Sequence, residues 1–187
     1  MTTNIQNLSD FNVDDIKLSE PNVYGDGMKI MWVSNTNSMP IVFRLNNKID
    51  LKTPFGIDGK FNNGPRRTLH LSIDNNENDG SVITAKVDEI ERKVIKLCEH
   101  NLTSDTKLNS LLKQNDRYGN SLLRVKLDTH DVTIFEGDQP ATINSIIKKT
   151  SGIKAICQLK CVWINKDSTS FGITLEAKSL LINNNNR

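Results

Sequence analysis

The stretch IKAICQLKCVWI, residues 153–164, places an apolar side chain at every second position from Ala155 to Trp163. Successive residues of a β-strand point to opposite faces of the sheet, so this alternation predicts one long strand. A polar turn at 166–170 and a second alternating run at 171–178 follow, which predicts an antiparallel hairpin. One face of the long strand then carries Ala155, Cys157, Leu159, Cys161 and Trp163, and the other carries Lys154, Ile156, Gln158, Lys160, Val162 and Ile164.

Shorter β-type runs precede this hairpin. Residues 29–33 and 41–45 flank a turn-rich segment and predict an early hairpin. Residues 68–73 and 121–127 alternate between inward-facing aliphatic and outward-facing polar side chains, and residues 132–135 predict a further strand. The chain is therefore rich in short strands.

Helical periodicity is clearest in residues 84–100, where Val87, Ile90, Val94 and Leu97 form one apolar stripe. Short helices are predicted at 105–114 and at 142–150. The sequence has no internal repeat and no regular alternation of strands with helices. We therefore predict a mixed α+β, mostly β domain with one main helix and one or two short helices.

The ends of the chain differ in composition from its middle. Residues 1–20 are polar, which predicts a flexible arm or an edge segment, and the asparagine-rich residues 183–187 predict a disordered tail. Residues 21–182 then form a single domain. No apolar stretch reaches the roughly 18 residues of a membrane span or the core of a signal peptide. We expect an intracellular protein that is neither secreted nor membrane-bound.

Residues that would carry catalysis are not arranged in any recognisable motif. The sequence has no phosphate-binding glycine loop, nucleophile elbow or zinc-binding His-Glu-x-x-His. His70, His100 and His130 occur singly among polar residues. The chain has three cysteines, Cys98, Cys157 and Cys161, an odd number without a CxxC pair. This favours packing in the core over a disulfide framework or a zinc site. We predict a non-enzymatic protein with no cofactor and no metal site.

Binding residues are better represented, beginning with a basic segment that contains aromatic residues. Phosphates of a single strand bind cations while its bases stack on aromatic rings, so this composition suits single-stranded nucleic acid. It also suits a loop that serves only solubility. Of the adjacent arginines 66 and 67, alternation places Arg66 on the face of His70. The candidates in this segment are Lys52, Phe55, Lys60, Phe61 and Arg66.

Cations also lie on the outward positions of later strands, where Arg124 and Lys126 form one pair and Lys154 and Lys160 form another. If these strands are neighbours, they create a positive sheet face of the kind that binds oligonucleotides in OB barrels. An ordinary solvated sheet face is the alternative. Tyr118, in a turn, is a further stacking candidate. Trp32, Trp163 and Phe171 share faces with apolar residues, so we predict them in the core.

The order of these segments resembles a known family. It is carried by Lys52-Thr-Pro-Phe-Gly-Ile57, the strand 68–72, the helical segment 87–92, the strand 122–127 and the C-terminal hairpin from residue 153. Together they resemble the single-stranded DNA-binding proteins of nucleocytoplasmic large DNA viruses, distantly similar to those of T7-like phages. The resemblance spans about residues 24–182. It implies an OB-fold-like antiparallel barrel that binds single-stranded DNA in viral replication, recombination or repair, without catalysis.

Two hypotheses follow. In the first, the chain binds single-stranded DNA with little sequence preference in the host cytoplasm or the virion; RNA binding, self-association and viral replication proteins as partners stay open. In the second, it is a non-enzymatic structural or protein-interaction component of the virion or replication site, which its small net charge of +2 would suit. Charge is uneven, with 14 basic and 16 acidic residues in 1–116 against 10 and 6 in 117–187.

Overall fold

The computed structural model describes residues 5–46, 49–57, 66–115, 120–146 and 150–183. Within these ranges the chain forms one α-helix, α1 (Asn78–Cys98), and short 3-10 turns at Leu8–Asp10, Val13–Asp15, Glu99–Asn101 and Ile143–Ser145. The strands are β1 (Gln6–Asn7), β2 (Lys17–Leu18), β3 (Asn22–Tyr24), β4 (Met28–Ser34), β5 (Ile41–Arg44), β6 (Leu51–Thr53), β7 (Arg66–Asp74), β8 (Lys107–Asn109), β9 (Leu112–Asn115), β10 (Asn120–Asp128), β11 (Thr133–Glu136), β12 (Gln139–Ala141), β13 (Thr150–Ile164) and β14 (Ser170–Ile182).

Five of these strands close into a ring. The order around it is β6, β7, β10, β14, β13 and back to β6. In chain order these are strands one, two, three, five and four, and only the contact between β10 and β14 is parallel. This is a five-stranded Greek-key barrel, which confirms the predicted OB-like fold. The strands β5 and β4 pair with the same edge of β13 as β6 does, farther along the strand.

The core fills this ring because the strands alternate as the sequence predicts. Leu69, Leu71 and Ile73 of β7 point inward and are fully buried, as are Leu123 and Val125 of β10. The long helix α1 covers the core with the apolar stripe that contains Ile83, Val87, Ile90 and Val94. It confirms the predicted main helix, although it begins six residues earlier, at Asn78. No helix of the described segments is both long and apolar enough to cross a membrane.

Three predicted segments differ from the structure. Within the predicted flexible arm 1–20, Leu8, Phe11, Val13 and Ile16 are buried in the core, where Phe11 lies 6.0 Å from Phe43 between ring centroids. The predicted helix 105–114 is wrong, because its residues form β8 and β9. The leucines there look helical by spacing, but β8 pairs with β14 and β9 pairs with β10. The predicted helix 142–150 reduces to the turn Ile143–Ser145 within the described residues.

Two β-bulges reshape the long hairpin β13–β14. Lys160 is the extra residue between the pairs Leu159–Leu175 and Cys161–Thr174, and Lys178 is the extra residue on β14. A bulge shifts the two-residue alternation by one position. Beyond Lys160, therefore, Val162 and Ile164 are buried and Trp163 turns outward. The single face predicted for residues 155–163 is correct only as far as Leu159.

Candidate nucleic-acid interface

The outward sides of β7 and β10 form a surface with an excess of positive charge. The two strands pair along nine residues, so their outward side chains stand directly opposite one another. Arg124 faces His70, and Lys126 faces Thr68. The acidic outward residues of the two strands lie at their ends, where Asp128 faces Arg66 and Asp74 faces Asn120. We call this surface the cationic face, and it consists of Arg66, Thr68, His70, Ser72, Leu122, Arg124 and Lys126.

Hydrogen bonds hold two cations of this face, Arg124 and Lys126, in position but leave donors unused. The guanidinium of Arg124 donates to the side-chain oxygen of Asn109 over 3.0 Å and to its carbonyl over 3.1 Å. Lys126 donates to the Thr68 hydroxyl over 2.9 Å. A guanidinium has five N–H donors and an ammonium three, so both groups retain donors for an anion. Burial lowers the pKa of both Arg124 and Lys126.

The residues that follow Asn109 are held by a buried carboxylate on α1. Glu91 accepts hydrogen bonds from the Leu111 amide over 2.6 Å and from the Ser110 hydroxyl over 2.9 Å. Burial raises the pKa of Glu91, while these bonds oppose the rise. The Leu111 carbonyl in turn accepts from the Arg124 amide over 2.8 Å. Segment 109–111 therefore links the helix to the cationic face.

His70 lies at the centre of the cationic face. Burial and then the neighbouring charges of Arg124, Lys113 and Lys126 lower its pKa, so the imidazole is neutral at physiological pH. Phe55 approaches it edge to face, with 6.0 Å between ring centroids. Phe55 is 52% exposed, and it follows β6 in the loop that leads to β7. Together with Leu108, His70 and Arg124 also line a pocket of about 300 Å³.

Several predicted binding residues converge on this site. Arg66 is exposed at the start of β7, and Lys52 is exposed opposite Ser72, beside the face. Phe55, Arg124 and Lys126 join them as described above. The predictions for Lys60, Phe61 and Tyr118 fall outside the described residues.

The predicted contribution of β13 needs correction, because β10 and β13 are not neighbours: β14 lies between them. Lys154 pairs with Leu181, whereas Lys126 pairs with Glu176. These positions are five residues apart on β14, which is about 16 Å along a strand. Lys154 is therefore not part of the cationic face.

Lys160 does reach the neighbourhood of the cationic face, but its charge is shared with a carboxylate. Both bulge lysines, Lys160 and Lys178, contact Glu176, with 2.6 Å between the Lys178 ammonium and the carboxylate. Burial alone would raise the pKa of Glu176, yet these hydrogen bonds lower it. The three residues form a cluster, which we call the Glu176 cluster, with a net charge of +1.

The two tryptophans were predicted in the core, and both predictions are wrong, because both side chains are at least partly exposed. Trp32 is 42% exposed on the outer side of β4, and Trp163 is partly exposed on the outer side of β13. Trp32 shares its face with Ile30, as the sequence suggests, but the core side of β4 is the one with Met31 and Val33. Both faces of this strand are apolar, so alternation could not distinguish them. Lys113, which lines the same pocket as His70 and Arg124, was not predicted as a binding residue, because its segment was assigned to a helix.

The fold is shared with a solved phage protein. No protein-family model and no curated protein sequence matches this chain. The structure of gp2.5, a single-stranded DNA-binding protein encoded by bacteriophage T7, matches with a TM-score of 0.50 at 14% identity, covering 75% of this chain and 90% of that chain. At that identity the likeness establishes the fold.

The single-stranded DNA-binding protein from bacteriophage Enc34 is also similar. Its complex with ssDNA has a TM-score of 0.44 at 10% identity, covering 91% of this chain and 94% of that chain. Its structure without DNA has a TM-score of 0.46 at 11% identity, covering 89% of both chains.

Proposed function

We propose that this chain binds single-stranded DNA with little sequence preference and protects it during viral DNA replication, recombination or repair. The observation that carries the proposal is the cationic face. It occupies the second and third strands of the barrel, the surface on which OB folds bind oligonucleotides. The loop between the first and second strands flanks that surface in OB folds, and here it supplies Phe55.

The chemistry of the face suits a flexible strand without sequence readout. Arg66, Arg124 and Lys126 present N–H donors to phosphates, which are the same at every nucleotide. The Phe55 ring offers an apolar surface to any base, since every base has a π-face. A viral origin, with the host cytoplasm or virion as its location, is supported by the resemblance drawn from the sequence. The proposed role is binding alone, with no chemical step.

The test is fluorescence anisotropy with a labelled dT strand of about 30 nucleotides, roughly twice the largest site of one OB fold. A matched duplex and a matched RNA are measured beside it, each from about 50 to 200 mM salt. We expect tight, salt-sensitive binding to the single strand and weak binding to the duplex. Equal affinity for RNA would mean that the ligand is single-stranded nucleic acid in general and not DNA alone. Absence of binding to all three at low salt would contradict the proposal.

A further inference from the structure

The outer side of β4 and β13 carries an aromatic surface next to the cationic face. On β4, alternate residues point outward, and Trp32 pairs with Cys161 while Ile30 pairs with Trp163. Tyr24 of β3 pairs with Met28 and extends the same side. Tyr24 is 44% exposed and Met28 is 39% exposed. We call Tyr24, Met28, Ile30, Trp32 and Trp163 the aromatic tract.

The Trp163 ring lies against the backbone of the neighbouring strand. A Cβ on Gly172 would come within 2.7 Å and 2.9 Å of two ring carbons, so only glycine fits beneath the indole. One side of the ring therefore covers β14, and its partial exposure comes from the other side. Trp32 is its diagonal neighbour across the β4–β13 pair, roughly 7–8 Å away. This spacing places two indole rings side by side on one surface.

The aromatic tract is continuous with the cationic face. Arg124 binds Asn109, which pairs with Gly172 beneath the Trp163 ring. Burial raises the pKa of Cys161, and the Thr174 hydrogen bond and the charges of Lys160 and Arg66 oppose that rise, while the Glu176 carboxylate adds to it. Two cations and one carboxylate therefore lie near the residue that faces Trp32. On the opposite side of the tract, Lys166 packs against Gly27 in the β3–β4 turn. Its side-chain carbons lie within 4 Å of the position that a Cβ on Gly27 would take.

We propose that the aromatic tract is a second binding subsite, on which Trp32 and Trp163 stack unpaired nucleobases of a strand whose phosphates lie on the cationic face. This inference rests on the proposed function. Cations border the tract on two sides, which suits a polyanion that also presents flat apolar rings. A second copy of this chain is a poorer occupant, because a two-fold contact here would bring the same cations together.

The experiment uses the tryptophans as reporters, since the chain has two and both belong to the tract. Intrinsic fluorescence is recorded while the full-length protein is titrated with a dT strand of about 16 nucleotides, the upper site size of one OB fold. An abasic strand of equal length supplies phosphates without bases. We expect quenching by dT and little change with the abasic strand. In W163F, where Trp32 is the only tryptophan, dT should still quench.

Affinity provides the second readout. W32A should weaken dT binding about 5-fold or more, the effect of losing one stacked base, and should leave the abasic strand unaffected. V23A is the matched control, because Val23 is 67% exposed on the opposite side of the same strand pair. Its affinity should equal that of the wild type.

Three outcomes would overturn the inference. The first is that dT binds without changing the tryptophan emission and that W32A binds dT with wild-type affinity. The tract would then not be a binding subsite, while the proposed function would stand. An equal loss of affinity for the abasic strand would indicate a structural effect of Trp32. Self-association of the wild type that W32A abolishes without changing DNA affinity would assign the tract to a second copy. If the wild type binds no strand by anisotropy, the proposed function itself fails.

Discussion

Two groups of cations lie on the outside of the barrel, and they differ in what surrounds them. On the cationic face, Arg124 and Lys126 are held by neutral partners, an asparagine and a threonine. In the Glu176 cluster, Lys160 and Lys178 share one buried carboxylate. A count of basic residues treats these groups as equal. No carboxylate is hydrogen-bonded to the first group, although the charge of Glu91 acts on Arg124 from a distance. In the second group, one directly bound carboxylate offsets half of the positive charge.

The largest expected change in DNA affinity comes from reversing the charges of Arg124 and Lys126. R124E/K126E should raise Kd on the order of 100-fold at about 50 mM salt, because each lost phosphate contact accounts for roughly a factor of eight there. The slope of log K against log salt should flatten by about 1.4. Anisotropy across the salt series measures both. The control R92E/K96E makes the same change in charge on the exposed side of α1. If both variants weaken binding equally, only the total charge matters and the comparison fails.

A smaller change in DNA affinity, in the opposite direction, is expected when the lysines of the Glu176 cluster lose their carboxylate partner. E176Q removes the negative charge but keeps the shape of the side chain, so the net charge of the Glu176 cluster rises from +1 to +2. Binding should tighten by up to about eightfold at about 50 mM salt, with a steeper salt dependence. A thermal melt checks that the barrel remains folded. Unchanged affinity in a folded E176Q would mean that the bound strand does not reach β14.

His70 predicts a dependence on pH within the cationic face. Its pKa is lowered in the free protein, and a bound phosphate would favour the charged imidazole, so binding takes up a proton. Affinity should rise about threefold as pH falls from about 7 to about 5.5, below the ordinary histidine pKa. H70Q should lose this increment while His100 and His130 remain. The folded protein loses stability over the same range, since the unfolded chain binds more protons, so folding is monitored in parallel. An identical pH profile in H70Q would exclude His70.

The smallest effect on affinity concerns the support of Arg124. E91A removes the acceptor for the Ser110 hydroxyl and the Leu111 amide, which frees segment 109–111. We expect a loss of unfolding free energy of about 1–3 kcal/mol from the unsatisfied buried amide and an increase in Kd of only about twofold, because Arg124 remains. Chemical denaturation and anisotropy measure these separately. E91Q, which keeps an acceptor oxygen, should recover most of the affinity; failure to do so would mean that the carboxylate charge matters.

The sequence could predict the cationic face because two regular strands form it. Leu69, Leu71 and Ile73 repeat every second residue without interruption, so Arg66 and His70 had to face outward together. The same argument placed Arg124 and Lys126 on their strand. What alternation could not provide was the neighbour of each strand. β14 separates β10 from β13, and that order is set by the closure of the whole ring.

Two other errors have a local physical cause. Leu108, Leu111 and Leu112 have the spacing of a helix, but a carboxylate twenty residues away, Glu91, binds Leu111 in an extended segment. Trp163 was assigned to the core because the alternation was extended through Lys160. A bulge has no obligatory residue type, so nothing in the composition of 153–164 marks it. The aromatic tract was therefore missed although both tryptophans were noticed.

The bulge at Lys160 makes the aromatic tract depend on the number of residues in β13 as well as on their identity. Deletion of Lys160 would restore an unbroken pleat, turn Trp163 toward the barrel interior and bring Val162 to the surface. Its tryptophan emission would then shift toward shorter wavelengths. A change in chain length of one residue can thus exchange a surface for a core, whereas point substitutions along the same strand leave each side chain on its own side.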